Sequence, residues 1–171
     1  MTNRDCDLPA YTRSDLCQLD DLHLSCIGCC GRILKDKSAV EKDLKLNTKE
    51  HAKYHSTDMK KFIWRFPPRD LRSCGICPNL INDDVRKGRI HCPGHPERNN
   101  GRDHRQDYCD SLHMCKTAFL FSVWDDDTKE RFLKFLKHKT KKQKMDWYHY
   151  SIGMDSDSLL TEFEDSDFWN R

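Results

Sequence analysis

The chain has 171 residues, a length that suits one domain, or one domain with a helical appendage, and excludes two full domains. Hydrophobic residues make up 36% and charged residues 34%, so the core is lean and a staple beyond apolar packing is expected. The formal charge of +2 excludes little by itself, but basic residues gather at 86–105 and 129–144 and the stretch 155–167 is acidic.

The first twenty residues are polar with scattered leucines and are given no element. Beyond Arg32 the chain turns charged and helical: Ser38-Ala-Val-Glu41 and Asn47-Thr-Lys-Glu50 both read as capping boxes, which predicts two short helices. Phe62-Ile-Trp-Arg-Phe66, stopped by Pro67-Pro68, reads as a short strand or extended segment. Between 71 and 105, Gly75, Pro78, Gly88, Pro93, Gly94, Pro96 and Gly101 exclude a long helix and predict an irregular loop region. Tyr108, Leu112, Cys115 and Phe119 then recur at three- and four-residue steps, predicting a helix over about 106–124. Asp125, Asp126 and Asp127 suit the start of a helix over about 128–142, with Phe132, Leu133, Phe135 and Leu136 as its buried stripe. A last helix is expected over 156–164, with Leu159, Leu160 and Phe163 inward.

Ten cysteines are available as the staple: Cys6, Cys17, Cys26, Cys29, Cys30, Cys74, Cys77, Cys92, Cys109 and Cys115. No signal-peptide pattern opens the sequence and no apolar run is long enough to span a bilayer, so a reducing, cytoplasmic setting is expected. There a cysteine-rich pattern points to metal or redox chemistry rather than to disulfides. The centre is His23-Leu-Ser-Cys26-Ile-Gly-Cys29-Cys30-Gly31, followed at a distance by Cys74-Gly-Ile-Cys77-Pro78. A two-residue gap lets both thiolates of a pair turn toward one ion, and neighbouring glycines permit the backbone angles such knuckles need. Adjacent Cys29 and Cys30 diverge, so either one of them is packed away or the centre holds more than one metal atom.

Cys92, within Gly88-Arg-Ile-His91-Cys92-Pro-Gly-His95, adds a thiolate in a constrained loop. Cys109, at the start of a predicted helix, adds another, with His113 one turn on. Cys115 shares the stripe of Leu112 and Phe119 and reads as core; Cys6 and Cys17 read as core or as unligated thiols. The candidate metal ligands are Cys26, Cys29, Cys30, Cys74, Cys77, Cys92 and Cys109, with His23 as an outsider.

These residues resemble a family of cysteine-cluster proteins described as zinc- or iron-chelating, whose hallmark is a CxxCxxCC run. The likeness continues in order: Cys77-Pro-Asn-Leu80 is similar to the family's Cys-Pro-x-Leu segment. Gly88-Arg-Ile-His-Cys92 is similar to its glycine–cysteine loop, and Arg102 or Arg105 with Cys109 to its final Arg and Cys. His23 stands where the first cysteine of the run would be. The resemblance covers roughly 22–109 and implies metal chelation with no settled reaction; the final sixty or so residues lie outside it.

The expected fold is a mainly α, small, irregular, metal-stabilised domain with little β, its cysteine-knuckle loops packed on helices. Residues 1–21 are read as an extension, 22–109 as the cysteine-cluster region and 110–171 as a helical region packed on it. The expected cofactor is zinc or iron, with an iron–sulfur cluster among the iron options, in a structural or redox role. Two alternatives compete. One is a nucleic-acid-binding module using the basic segments 86–105 and 129–144. The other is a metal-dependent enzyme whose pocket would draw on Asp107, His113, Trp124, Asp146, Trp147, Tyr148 and Tyr150, although no nucleophile-and-base spacing or phosphate loop is present. No membrane partner is expected, and the sequence names no protein partner.

Overall fold

The computed structural model describes residues 15–54, 58–83, 89–110 and 113–166. Cys6, Arg86, Gly88 and Leu112 lie outside them. The chain is mainly helical with two small antiparallel ladders. Strands β1 (Gln18–Leu19) and β2 (Leu24–Ser25) form a tight hairpin with Gln18 opposite Ser25 and Leu19 opposite Leu24. Helix α1 (Lys37–His51) and the short α2 (Met59–Ile63) follow, then β3 (Ile81–Asp83) paired with β4 (Arg89–His91). Helices α3 (Lys116–Val123), α4 (Asp126–Gln143), α5 (Trp147–Asp155) and α6 (Ser158–Glu164) complete the described order.

Several expectations are corrected. One helix replaces the two expected after Arg32: Asp36 caps it, accepting from Ala39 N–H at 3.0 Å, and Asn47 is a buried interior residue rather than an N-cap. The Phe62-Ile-Trp-Arg-Phe66 segment is the end of α2 and a turn, because Phe62 and Ile63 are buried from a helical turn together with Met59. The helix predicted from 106 begins only at Lys116; Tyr108 is buried from a turn, and Phe119 is half exposed because α3 buries Thr117, Ala118 and Phe121 instead. Asp125 caps α4 through Thr128 N–H at 2.7 Å, and Phe132, Phe135 and Leu136 are buried as expected, whereas Leu133 lies at the margin. Segment 146–155, for which the sequence predicts no element, is helical from Trp147 because Asp146 accepts from Tyr148 N–H and His149 N–H.

Three apolar groups result. The first gathers Phe121, Phe132, Phe135, Tyr150, Leu159 and Phe163 from the C-terminal helices with Leu16 and Leu24 from the hairpin. The second joins Ile27, Val40, Leu44, Ile76 and Leu80, with Trp147 and Tyr148 laid against it. The third is Met59, Phe62, Ile63, Ile81 and Tyr108. The hairpin is tied across by polar groups: Gln18 donates to Ile90 C=O at 2.9 Å, Ile90 N–H donates to Ser25 Oγ at 3.0 Å, and Ile27 N–H donates to Ser151 Oγ at 3.0 Å. Among the described residues no helix is long and apolar enough to cross a membrane.

Candidate functional site

Cys30 and Cys77 come together through backbone pairing between the first cysteine run and the second. Gly31 bridges Ile76 antiparallel, Cys77 N–H donates to Cys30 C=O at 2.8 Å, and Arg32 N–H donates to Gly75 C=O at 2.8 Å. Gly75 is required here: its φ is 94°, and a Cβ on it would stand 2.4 Å from the Arg32 carbonyl oxygen. Cys30 packs on the second apolar group, Cys92 on the third, and Cys77 touches both, so these side chains line the seam between the two.

The electrostatics follow from that seam. Burial pushes the Cys77 thiol up to about 12, with Cys30 and Cys109 adding to the rise, and burial lifts Cys92 further still, with Cys77 and Cys30 adding to it. Thiolates that raise one another in this way lie within reach of each other's charge. Opposing them, Arg65 favours a thiolate at Cys77 and Arg105 favours one at Cys92. Arg105 is itself buried and held by Asp103 through two bonds, at 2.9 and 2.6 Å.

A buried polar network fixes the Cys77-Pro78-Asn79-Leu80 turn. Asn47 donates to Cys77 C=O at 3.2 Å and to Leu80 C=O at 2.9 Å, and accepts from Arg72 at 2.7 Å. Asn79 donates to Ile63 C=O at 3.0 Å and accepts from Arg65 at 2.6 Å, while its own N–H meets the Cys77 sulfur at 3.5 Å. Glu50 binds Arg65 and Arg72 together. Asn47 and Glu50 stood out in the sequence only as the ends of a capping box that does not form, Arg65 carried no signal, and Asn79 carried one only through its place inside the Cys-Pro-x-Leu turn.

Cys77 accepts the backbone N–H of Asn79, two residues ahead, at 3.5 Å, and the N–H groups of Gly28, Ile76 and Gly94 favour thiolates at Cys26, Cys74 and Cys92. Such bonds favour the thiolate over the thiol. All nine described cysteines are thiols rather than cystines.

Of the seven predicted ligands, Cys30, Cys77, Cys92 and Cys109 therefore form one neighbourhood. Cys26 stands opposite Cys17 on the hairpin, its N–H donating to Cys17 C=O at 3.0 Å, and lies within electrostatic reach of Cys115 and Cys30. Cys74 is fully buried beside Val40 and Leu44, where burial and a hydrogen bond to Asp43 push its thiol up to about 11. Cys29 and Cys109 are exposed, and His23 stands exposed at the hairpin turn with φ 53°. As the side chains stand, no three or more His, Cys, Asp or Glu among the described residues form a ready metal-binding group.

Most of the polar groups considered for a pocket make structural contacts. Tyr150 donates to Leu16 C=O at 2.6 Å, Tyr148 donates to Lys35 C=O at 2.6 Å, and Asp146 pairs with Lys37 at 2.7 Å. Trp124 stacks edgewise on Phe132; Asp107 and His113 are exposed. On the basic stretch of α4, Lys129, Arg131 and Lys134 pair with acids of the same helix and Lys139 pairs with Glu162. Arg89 pairs with Asp20.

Comparison with models of known families, with curated proteins and with solved structures finds no match to this chain. The likeness to the CxxCxxCC cluster proteins accordingly rests on motif order alone.

Proposed function

We propose that the chain chelates a thiophilic metal ion, zinc or iron, through Cys30, Cys77, Cys92 and Cys109, and that the metal holds its irregular half together. The observation that carries this reading is the neighbourhood of those four thiols, drawn from four segments remote in sequence. A cation among them reverses their mutual discouragement, since each thiolate then stabilises the ion rather than opposing its neighbours. The N–H donors at Cys77 and Cys92 and the nearby Arg65 and Arg105 suit a centre that four thiolates leave net negative. Uptake releases the thiol protons and draws the sulfurs inward, and metal–sulfur bonding offsets the entropy of closing the long loop between residues 30 and 77. A reducing compartment such as the cytoplasm keeps the donors available.

The test is elemental analysis with an absorbance spectrum on anaerobically purified protein. Stoichiometric iron with a broad visible band that bleaches on reduction supports a redox centre; stoichiometric zinc in a colourless protein supports a structural one. Cys92→Ser lowers the metal content, and Cys74→Ser, which alters a thiol turned to Asp43, leaves it unchanged. Protein that carries neither metal and takes up neither after reduction overturns the reading.

A further inference from the structure

The backbone crossing that joins the two cysteine runs also sets one thiol directly opposite another. Gly31 and Ile76 are bridged antiparallel, so the next opposed residues outward from the bridge are Cys30 and Cys77. That register is pinned on both sides, by Arg32 N–H on Gly75 C=O and by Cys77 N–H on Cys30 C=O, each at 2.8 Å. Opposed residues joined by such a bond have Cα atoms about 5.5 Å apart, within the roughly 4.4–6.8 Å that a disulfide spans. Both side chains lie against the second apolar group, so they leave the crossing on the same side. Their charges agree with this placement, since a thiolate at Cys30 raises the Cys77 thiol. Each residue is partly exposed, within reach of a small reagent.

The two-residue spacings of the sequence name other partners, and the fold turns those to different surroundings. Cys74, two residues removed from Cys77, is fully buried; its N–H donates to the Asp43 carboxylate at 3.3 Å and its thiol is turned to the same group. Cys26 packs on the first apolar group, while Cys29 is exposed.

We propose that Cys30 and Cys77 are a dithiol–disulfide couple, closed by a small-molecule disulfide and reopened by a thiol, that fastens the first cysteine run to the second. One protein thiolate attacks a sulfur of the small disulfide and expels its first thiolate; the other protein thiolate then attacks the mixed disulfide and expels the second. The protein pair loses two electrons, the reagent gains them, and the two protons of the protein thiols pass to the two released thiolates. The pairing stands on backbone register and packing. A corollary rests on the chelation reading: closing the couple withdraws two of the four proposed donors, so oxidation releases the ion while a sulfur–sulfur bond holds the same crossing.

The test treats reduced, metal-free full-length protein with oxidised glutathione, blocks the remaining thiols with N-ethylmaleimide, and maps cystines by non-reducing peptide mass spectrometry. A Cys30–Cys77 cystine is expected to exceed any other by at least about tenfold, because a pair held in place reacts faster than thiols that must move together. Urea removes that preference, dithiothreitol removes the cystine, and Cys74→Ser leaves it unchanged. Dominant Cys74–Cys77 or Cys26–Cys29 cystines, or Cys30 and Cys77 each carrying its own blocking group, overturn the proposal. A second arm loads zinc before oxidation and reads free zinc with a colorimetric indicator. Zinc released as the cystine forms is the expected result; zinc retained beside the cystine overturns the corollary. Protein that takes up no zinc counts against chelation alone, and the cystine map of the metal-free protein still decides this proposal.

Discussion

Glu50 accepts from Arg65 at 3.0 Å and also from Arg72, and those guanidiniums reach on to Asn79 and Asn47 around the Cys77 turn. Burial pushes the Glu50 carboxyl up, but hydrogen bonds and charge from Arg72 and Arg65 outweigh it and hold the group below its ordinary value. A depressed carboxylate contributes stability that is present above its unfolded value and is lost as pH falls through the folded one. Glu50→Gln strands two largely buried cations, and the expected loss is about 2–4 kcal/mol in urea unfolding at neutral pH, less than for a fully buried pair because Glu50 is partly exposed. Arg65→Lys is not a mild change here, since one ammonium cannot serve Glu50, Asn79 and the Phe62 carbonyl together. Their partnership was illegible in the sequence because each looks like an ordinary cap residue, surface charge or amide until α1, α2 and the cysteine turn are packed together.

The start of α5 is fastened to α1 by one carboxylate. Asp146 caps its own helix through Tyr148 N–H and His149 N–H and pairs with Lys37 at 2.7 Å. Burial raises its carboxyl, but the Lys37 hydrogen bond and the His149 N–H outweigh that and bring it down to about 2. Asp146→Asn keeps a capping oxygen and removes the charge. The expected difference between wild type and variant is about 1 kcal/mol above roughly pH 4, shrinking as pH falls through about 2 and gone only below it, because protonated Asp and Asn then differ little. Paired urea titrations across that range measure it. Helix starts such as Asp125 were legible because an N-cap is a local signal, whereas the buried face of α3 was not. Its period admits Phe119 or Phe121 inward, and only the docking of α3 on Phe132 and Tyr150 selects Phe121.

Across the whole molecule, the apolar group of the C-terminal helices is the one rich in large aromatics, and the two smaller groups share the thiols of the proposed centre. Stability should therefore divide unevenly. Stripping metal with a chelator is expected to speed amide hydrogen exchange strongly in residues 30–32, 74–80 and 90–95, and much less in α4, whose Phe132, Phe135 and Leu136 pack without help from the site. Equal acceleration in both regions would show instead that one cooperative unit spans the chain. Hydrogen-exchange mass spectrometry with and without chelator decides this. A lean composition is consistent with such a division, since it supplies one well-filled core and leaves the rest to cross-linking.

The sequence by itself determined the mainly helical character, the helix start at Asp125, the buried stripe of α6, and the glycine- and proline-broken middle, because caps, periods and breakers act within a few residues. It also marked Cys77 and Cys92 through their short turns. Only the tertiary structure decided which sulfurs are neighbours. That Cys26 stands opposite Cys17 follows from a hairpin register. Cys74, next to the Gly75 that this close backbone crossing demands, turns instead to Asp43. Pairings of that kind arise from contacts across many tens of residues, which no local spacing of cysteines encodes.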